Sequence, residues 1–163
     1  MYKRQEGAVG TYIHAGGKIG VMIELNCESD FVARTDDFQG LLRDIAMHIA
    51  AVDPRFIGRD EVTETDVERE KEIYRAQAAA TGKPANIIEK MLEGKMGKFY
   101  EETCLLDQPF IKEQSQTVAQ VIAVKVAKLG ENITVRRFAR FKIGDPNATI
   151  AQAKIVSVEE PQA

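Results

Sequence analysis

Tryptophan is absent from the 163 residues, and all aromatics together make up only 7%. A ring found away from a core position therefore carries weight. Cysteine is almost missing too. Cys27 and Cys104 are too few for a disulfide framework, which fits a reducing compartment. No apolar run approaches the ~20 residues of a membrane span. The first residues, MYKRQEGAVG, are basic with no apolar signal core behind them, so secretion is not expected. Charge of one sign is also lacking. A net charge of -3 excludes a polyanion binder acting through its bulk field. No GxxxxGK[ST] phosphate loop exists; GKIG and TGKP are isolated fragments, so GTP or ATP binding by this chain, or any other cofactor, is not expected. His14, His48, Cys27 and Cys104 lack metal-ligand spacing and read as buried or helix-surface residues. Cys27 beside Glu28, with His14 as a distant base, is imaginable as a nucleophile. Nothing in the sequence positions them together, and a cysteine at a strand end more often serves as a small core residue. Enzymatic chemistry is not expected.

What is present is the pattern of an ordinary globular domain, 44% hydrophobic and 29% charged. AVGTYIH (8–14) and GKIGVMIELN (17–26) flank AGG, a turn in which Gly16 and Gly17 can take positive φ. In the second strand Val21, Ile23 and Leu25 alternate with Met22, Glu24 and Asn26. Phe38, Leu41, Leu42, Ile45, Ile49 and Val52 recur at helical spacing, with Thr35 or Asp36 as cap and Pro54 as stop. A second helix is expected from TDVE, with Thr65 and Glu68 as a capping box, running to Gly82. Pro84 opens a third, which Gly94 and Gly97 are placed to bend or split. Ser115 is the expected cap of a fourth, ended by Gly130. NITVRRFARFKI (132–143) reads as a last strand, with Val135, Arg137, Ala139 and Phe141 on one face and Phe138 on the other. The order β-β-α-α-α-α-β predicts an α+β domain: an antiparallel sheet of about three strands with helices packed on one face. Residues 1–7 form a lead, 8–144 the core, and 145–163 an extension in which IAQAKIVSV reads as an added strand.

Two stretches invite a functional reading. RRFARFK interleaves Arg136, Arg137, Arg140 and Lys142 with Phe138 and Phe141, a pattern that can bind RNA. On a net-negative chain it reads first as a strand with solvated arginines and inward rings. The other stretch is NCESDFVART (26–35), which joins strand to helix and sets Phe31 beside Asp30 among polar residues. One reading is a helix entry, a polar cap with a hydrophobic staple. But Phe38 and Leu41 already supply the helix's inner face. The other reading is an apolar wedge, a ring to be buried in another protein.

The chain resembles elongation factor Ts. The residues that carry the likeness are YIHAGGKIGVMIELNCESDFVART (12–35), FQGLLRDIAMHIAA (38–51), REKEIYRAQA (69–78), GKPANIIEKMLEGKMGKFYEETCLLDQPFIK (82–112) and KLGENITVRRFARFKIG (128–144), in the family's order. The resemblance implies guanine-nucleotide exchange on elongation factor Tu during translation elongation. The family's TDFV tip reads here Ser29, Asp30, Phe31, Val32; serine keeps the hydroxyl and loses a methyl. Phe31 would insert between helices of the partner's nucleotide-binding domain, and Asp30 would hold the loop or bond the partner. Leu129 and Gly130, in LGEN, resemble a second contact. His14, in YIH, resembles a third, made in some members by a second half of the core. The likeness is to the short kind, with one core half and without the small N-terminal ubiquitin-associated-like module. Short members pair as homodimers. A bacterial cytoplasm, or a chloroplast or mitochondrion, is the implied compartment. The alternatives are a partner that stabilises elongation factor Tu with weak exchange, and an RNA-binding accessory protein.

Overall fold

Strand β1 (Glu6–Ile13) and strand β2 (Ile19–Cys27) form an antiparallel hairpin whose tight end is closed by His14 N–H donating to the Ile19 carbonyl at 2.9 Å. Gly16 and Gly17 take φ of 91° and 69° there, a left-handed path that a side chain would strain. The computed structural model describes residues 4–154. After the hairpin the chain makes a one-turn helix, α1 (Asp30–Ala33), then α2 (Asp36–Val52). Helices α3 (Glu64–Ala79) and α4 (Ala85–Thr103) follow as an antiparallel hairpin. Two short strands, β3 (Pro109–Phe110) and β4 (Glu113–Thr117), lead to α5 (Val118–Leu129), then to β5 (Thr134–Lys142) and β6 (Thr149–Gln152).

The α+β reading holds, with one difference in count. Among the described residues the main sheet has four antiparallel strands in the order β1-β2-β5-β6, because Thr149–Gln152 pairs with Arg137–Arg140. Residues 155–158 of the alternating stretch IAQAKIVSV, and residues 1–3 of the lead, lie outside the described residues.

Helix α2 buries its apolar stripe against the inner face of the sheet. Phe38, Leu41, Leu42, Ile45 and Ile49 meet Val21, Ile23, Leu25, Val135 and Phe138 in one core. Thr35 caps α2, its hydroxyl accepting Phe38 N–H at 3.2 Å, and Asp53 ends it in the left-handed region just before Pro54. Two other expected caps shift by two residues. Thr63, not Thr65, caps α3 through Asp66 N–H at 3.1 Å. Thr117, not Ser115, caps α5 in a capping box with Gln120. Ser115 instead sits in β4. Gly94 and Gly97 do not interrupt α4, which runs unbroken over its whole length. A smaller core of Val62, Met96, Phe99 and Cys104 anchors the root of the α3–α4 hairpin.

The last strand departs from simple alternation. Leu25 pairs with Val135 and Glu24 with Arg137, so Arg136 is an extra residue, a bulge. The bulge switches which side chains face inward. Val135 and Phe138 both reach the core, instead of lying on opposite faces, while Phe141 stays on the outer face with 61% exposure. Among the described residues nothing covers the outer face, which is largely apolar and carries Val9, Ile13, Met22, Phe141 and Ile150 around the Arg137–Glu24 ion pair. Among the described residues no helix is long and apolar enough to cross a membrane.

Candidate functional site

The turn from β2 to α1 is built to hold one ring outward. Strand pairing ends at Cys27, and Ser29 adopts an extended conformation (φ -129°, ψ 152°) that lets its hydroxyl accept Val32 N–H at 3.3 Å. This is an N-cap, so the helix-entry reading is correct for the backbone. It is not correct for the ring. Val32 supplies the inward apolar contact, 4% exposed in the main core, while the preceding Phe31 is 77% exposed. In a one-turn helix neighbours differ by about 100° around the axis, so burying Val32 turns Phe31 outward. Asp30 is exposed and pairs with Arg34 one turn on at 2.9 Å. Exposed pairs of this kind contribute little to stability.

The β2–α1 turn does not stand alone. Helix α5 stops at Leu129, half-buried against the main core, and Gly130 leaves it in the left-handed region at φ 72°. That reversal brings Glu131 to the turn. Its carboxylate accepts the backbone N–H groups of Glu28 and Ser29, at 3.1 and 3.0 Å, and the Ser29 hydroxyl. The Glu28 carboxylate accepts Asn132 N–H at 3.1 Å in return. Hydrogen bonding from the Ser29 hydroxyl holds the Glu131 carboxyl below the ordinary glutamate range. The structure thus brings Ser29, Asp30, Phe31, Leu129 and Gly130 together at one end of the sheet. Nearby, Lys125 and Lys128 of α5 both bind Asp37 of α2, at 2.8 and 3.0 Å, and hold its carboxyl low.

His14 is elsewhere. It stands exposed at the hairpin tip, its Nδ1 at 3.1 Å from the Tyr12 hydroxyl. The pairing runs from Ile13–Gly20 to Glu6–Cys27, seven residues of strand at ~3.4 Å each, so His14 lies about 24 Å from the β2–α1 turn. This distance also separates it from Cys27, which ends the nucleophile-and-base idea. Cys27 is buried, its Sγ donates to the Ser29 carbonyl at 3.1 Å, and burial pushes its thiol up.

The basic stretch of β5 is largely consumed by the fold. Arg136 donates to the Ala153 carbonyl at 2.7 Å and Arg137 to Glu24 at 2.6 Å. Arg140 is buried, caps the end of α2 through the Ala50 carbonyl at 3.0 Å, and pairs with Asp53. A row of free arginines for RNA is therefore not formed. Glu131, Glu28 and Asn132 were not among the residues expected at the site. The signal available was the pair Glu131-Asn132 directly after the helix-ending Gly130.

Among the described residues, no three His, Cys, Asp or Glu side chains group as metal ligands. What the arrangement offers is a rigidly based, outward-facing ring.

A sequence profile of the family described as Elongation factor TS matches residues 1–145. The chain is 63% identical over 158 residues to Elongation factor Ts of Koribacter versatilis, covering 97% of this chain and 72% of that protein. It is 57% identical over 155 residues to Elongation factor Ts of Solibacter usitatus, covering 95% and 73%. It is 59% identical over 140 residues to Elongation factor Ts of Geobacter metallireducens, covering 86% and 65%, so in length it spans a little under two thirds of that relative. A profile match across strands β1, β2 and β5, the β2–α1 turn and the helical hairpin, together with this level of identity, places the chain in the elongation factor Ts family.

Proposed function

We propose that the chain is a guanine-nucleotide exchange factor for elongation factor Tu, and that Phe31 is its working tip. The observation that carries the reading is a large ring left 77% exposed beside a core valine, on a turn hydrogen-bonded from two directions. A protein with so few aromatics has no folding use for a ring there. Family membership supplies the partner.

The physics of exchange is linkage. A factor that speeds GDP release binds the nucleotide-free partner more tightly than the GDP-bound one. A ring driven between helices of the partner's nucleotide domain does this if it displaces groups that hold Mg²⁺ and the phosphates. The ion neutralises phosphate charge, so disturbing its site weakens the nucleotide. The partner holds the nucleotide and metal in this scheme; this chain makes and breaks no covalent bond and so is not an enzyme in the chemical sense. Its place of work is the cytoplasm, where translation elongation proceeds.

The same reading makes the active form a homodimer. His14 and Phe31 sit about 24 Å apart at opposite ends of one hairpin. Pairing two chains through their bare sheet faces supplies Phe31 from one copy and His14 from the other. The apolar outer face supports this directly.

The test is release of labelled GDP from elongation factor Tu with and without the chain. Acceleration at substoichiometric concentration supports exchange. Tight binding with no acceleration would replace this reading with that of a stabilising partner.

A further inference from the structure

We propose that Glu131 is the positioning residue of the wedge, holding Phe31 in its inserting orientation by clasping the turn from 102 residues away. The inference rests on the exchange reading above and deepens it.

The need for a clasp follows from the local structure. The N–H groups of Glu28 and Ser29 come after the last paired residue of β2 and before the first turn of α1, so neither strand nor helix satisfies them. Glu131 satisfies both with one carboxylate, and takes the Ser29 hydroxyl as well. With its O–H donated to Glu131, the Ser29 oxygen accepts Val32 N–H through a lone pair, so the clasp and the helix cap form one chain of hydrogen bonds. Helix α1 has only four residues, far too few to persist by its own propensity. Three things fix its direction: the Ser29 cap, the burial of Val32, and Glu131.

The clasp is also reciprocal. Glu28 returns a bond to Asn132 N–H at 3.1 Å. The pair therefore sets the spacing between the wedge and the Leu129–Gly130 segment, and a loose clasp would let both surfaces drift. The Glu28 and Asn132 ends of the clasp are exposed and its Ser29 and Glu131 ends half-buried, outside the apolar core, so loss of the clasp is expected to cost orientation more than folding.

A double-mutant cycle on GDP release separates positioning from general stability. Glu131→Ala is expected to keep its thermal melt within a few degrees of the parent. It is expected to slow release about tenfold or more, since misplacement by about an ångström is costly wherever geometry is the mechanism. In the Phe31→Ala background the same change should have almost no further effect, because the ring it positions is gone. Should Glu131→Ala unfold, Ser29→Ala and Glu131→Gln, which each weaken the clasp, run the same cycle. Parental release by the clasp variants overturns the inference, as does a loss that adds in full to that of Phe31→Ala. Parental release by Phe31→Ala itself brings down the wedge reading, and the inference with it.

Discussion

Phe31 and Val32 are consecutive apolar residues with opposite surroundings, and they should respond oppositely to truncation. Phe31→Ala removes an exposed ring, so the melt should stay near that of the parent. As a central anchor it should cost about 2 kcal/mol or more of partner binding and most of the exchange activity. GDP release and a thermal melt on the same sample check it; unfolding would mean that Phe31 is a core residue, and normal exchange would remove the wedge. Val32→Ala removes two buried methyl groups and should lower stability by about 2 kcal/mol. Much of this contrast was legible in the sequence, since a lone aromatic in a polar connection stands out where rings are scarce. Its other half was not. Nothing in the sequence marks Glu131 as part of the turn, because its partners Glu28 and Ser29 follow the neighbouring strand β2 and the left-handed turn at Gly130 brings them within reach.

Elements were readable where one chain segment decides them. The Gly16–Gly17 hairpin and α2 follow from turn chemistry and apolar period. The bulge at Arg136 was not readable, because it depends on the partner strand and on the Ala153 backbone, which exchanges hydrogen bonds with Arg136. The small β3–β4 hairpin was missed for a related reason: it is pinned by a side chain from α2. His48 is fully buried there. Ile111 N–H donates to its Nδ1 at 3.1 Å, which puts the ring proton on Nε2, facing the Gln108 side-chain oxygen at 2.9 Å. Burial holds its pKa below the ordinary 6.5. The neutral form thus favours the fold, and the sign follows. The unfolded chain takes up a proton as pH falls below 6.5 while the native ring resists, so stability is lost from there downward until the native pKa is passed. The surrounding charges, Asp44 and Lys112, pair with each other at 3.0 Å. Melts between pH 7 and 5 should fall with a slope that disappears in His48→Gln; an unchanged slope would assign it elsewhere. Close packing gives a second prediction for this layer. A Cβ on Gly10 of β1 would lie 2.6 Å from Leu42 Cγ, deep in the core. Gly10→Ala should therefore destabilise by about 1–3 kcal/mol in chemical denaturation, and a neutral result would show that α2 can shift away from the sheet.

At the scale of the whole molecule, the described residues cover the sheet on one side only. Helix α2 covers the inner face. The outer face presents Val9, Ile13, Met22, Phe141 and Ile150 to solvent, four of them more than 60% exposed. Apolar area of that kind on one continuous sheet is the physical basis for expecting an association surface here. A second copy is the simplest cover, since a two-fold axis sets the same patch against itself and lets two sheets pack about 10 Å apart. The Arg137–Glu24 ion pair within the patch already satisfies its own charges, so burying it leaves no isolated charge. The expected mass in light scattering at micromolar concentration is twice the 18.1 kDa of the chain. Reductant should not change it, because both cysteines are buried within the protomer. Phe141→Glu combined with Ile150→Glu places two charges on the patch while leaving the inner core untouched, and should shift the mass to that of one chain without lowering the helical content. If exchange needs Phe31 and His14 from different copies, that variant should also lose GDP-release activity although its own Phe31 is intact. Mixing it with parent chains should then add no activity beyond that of the parent chains alone. A parent protein that runs at the mass of a single chain would reject the dimer outright; a monomeric variant with full exchange would keep the dimer but remove it from the mechanism.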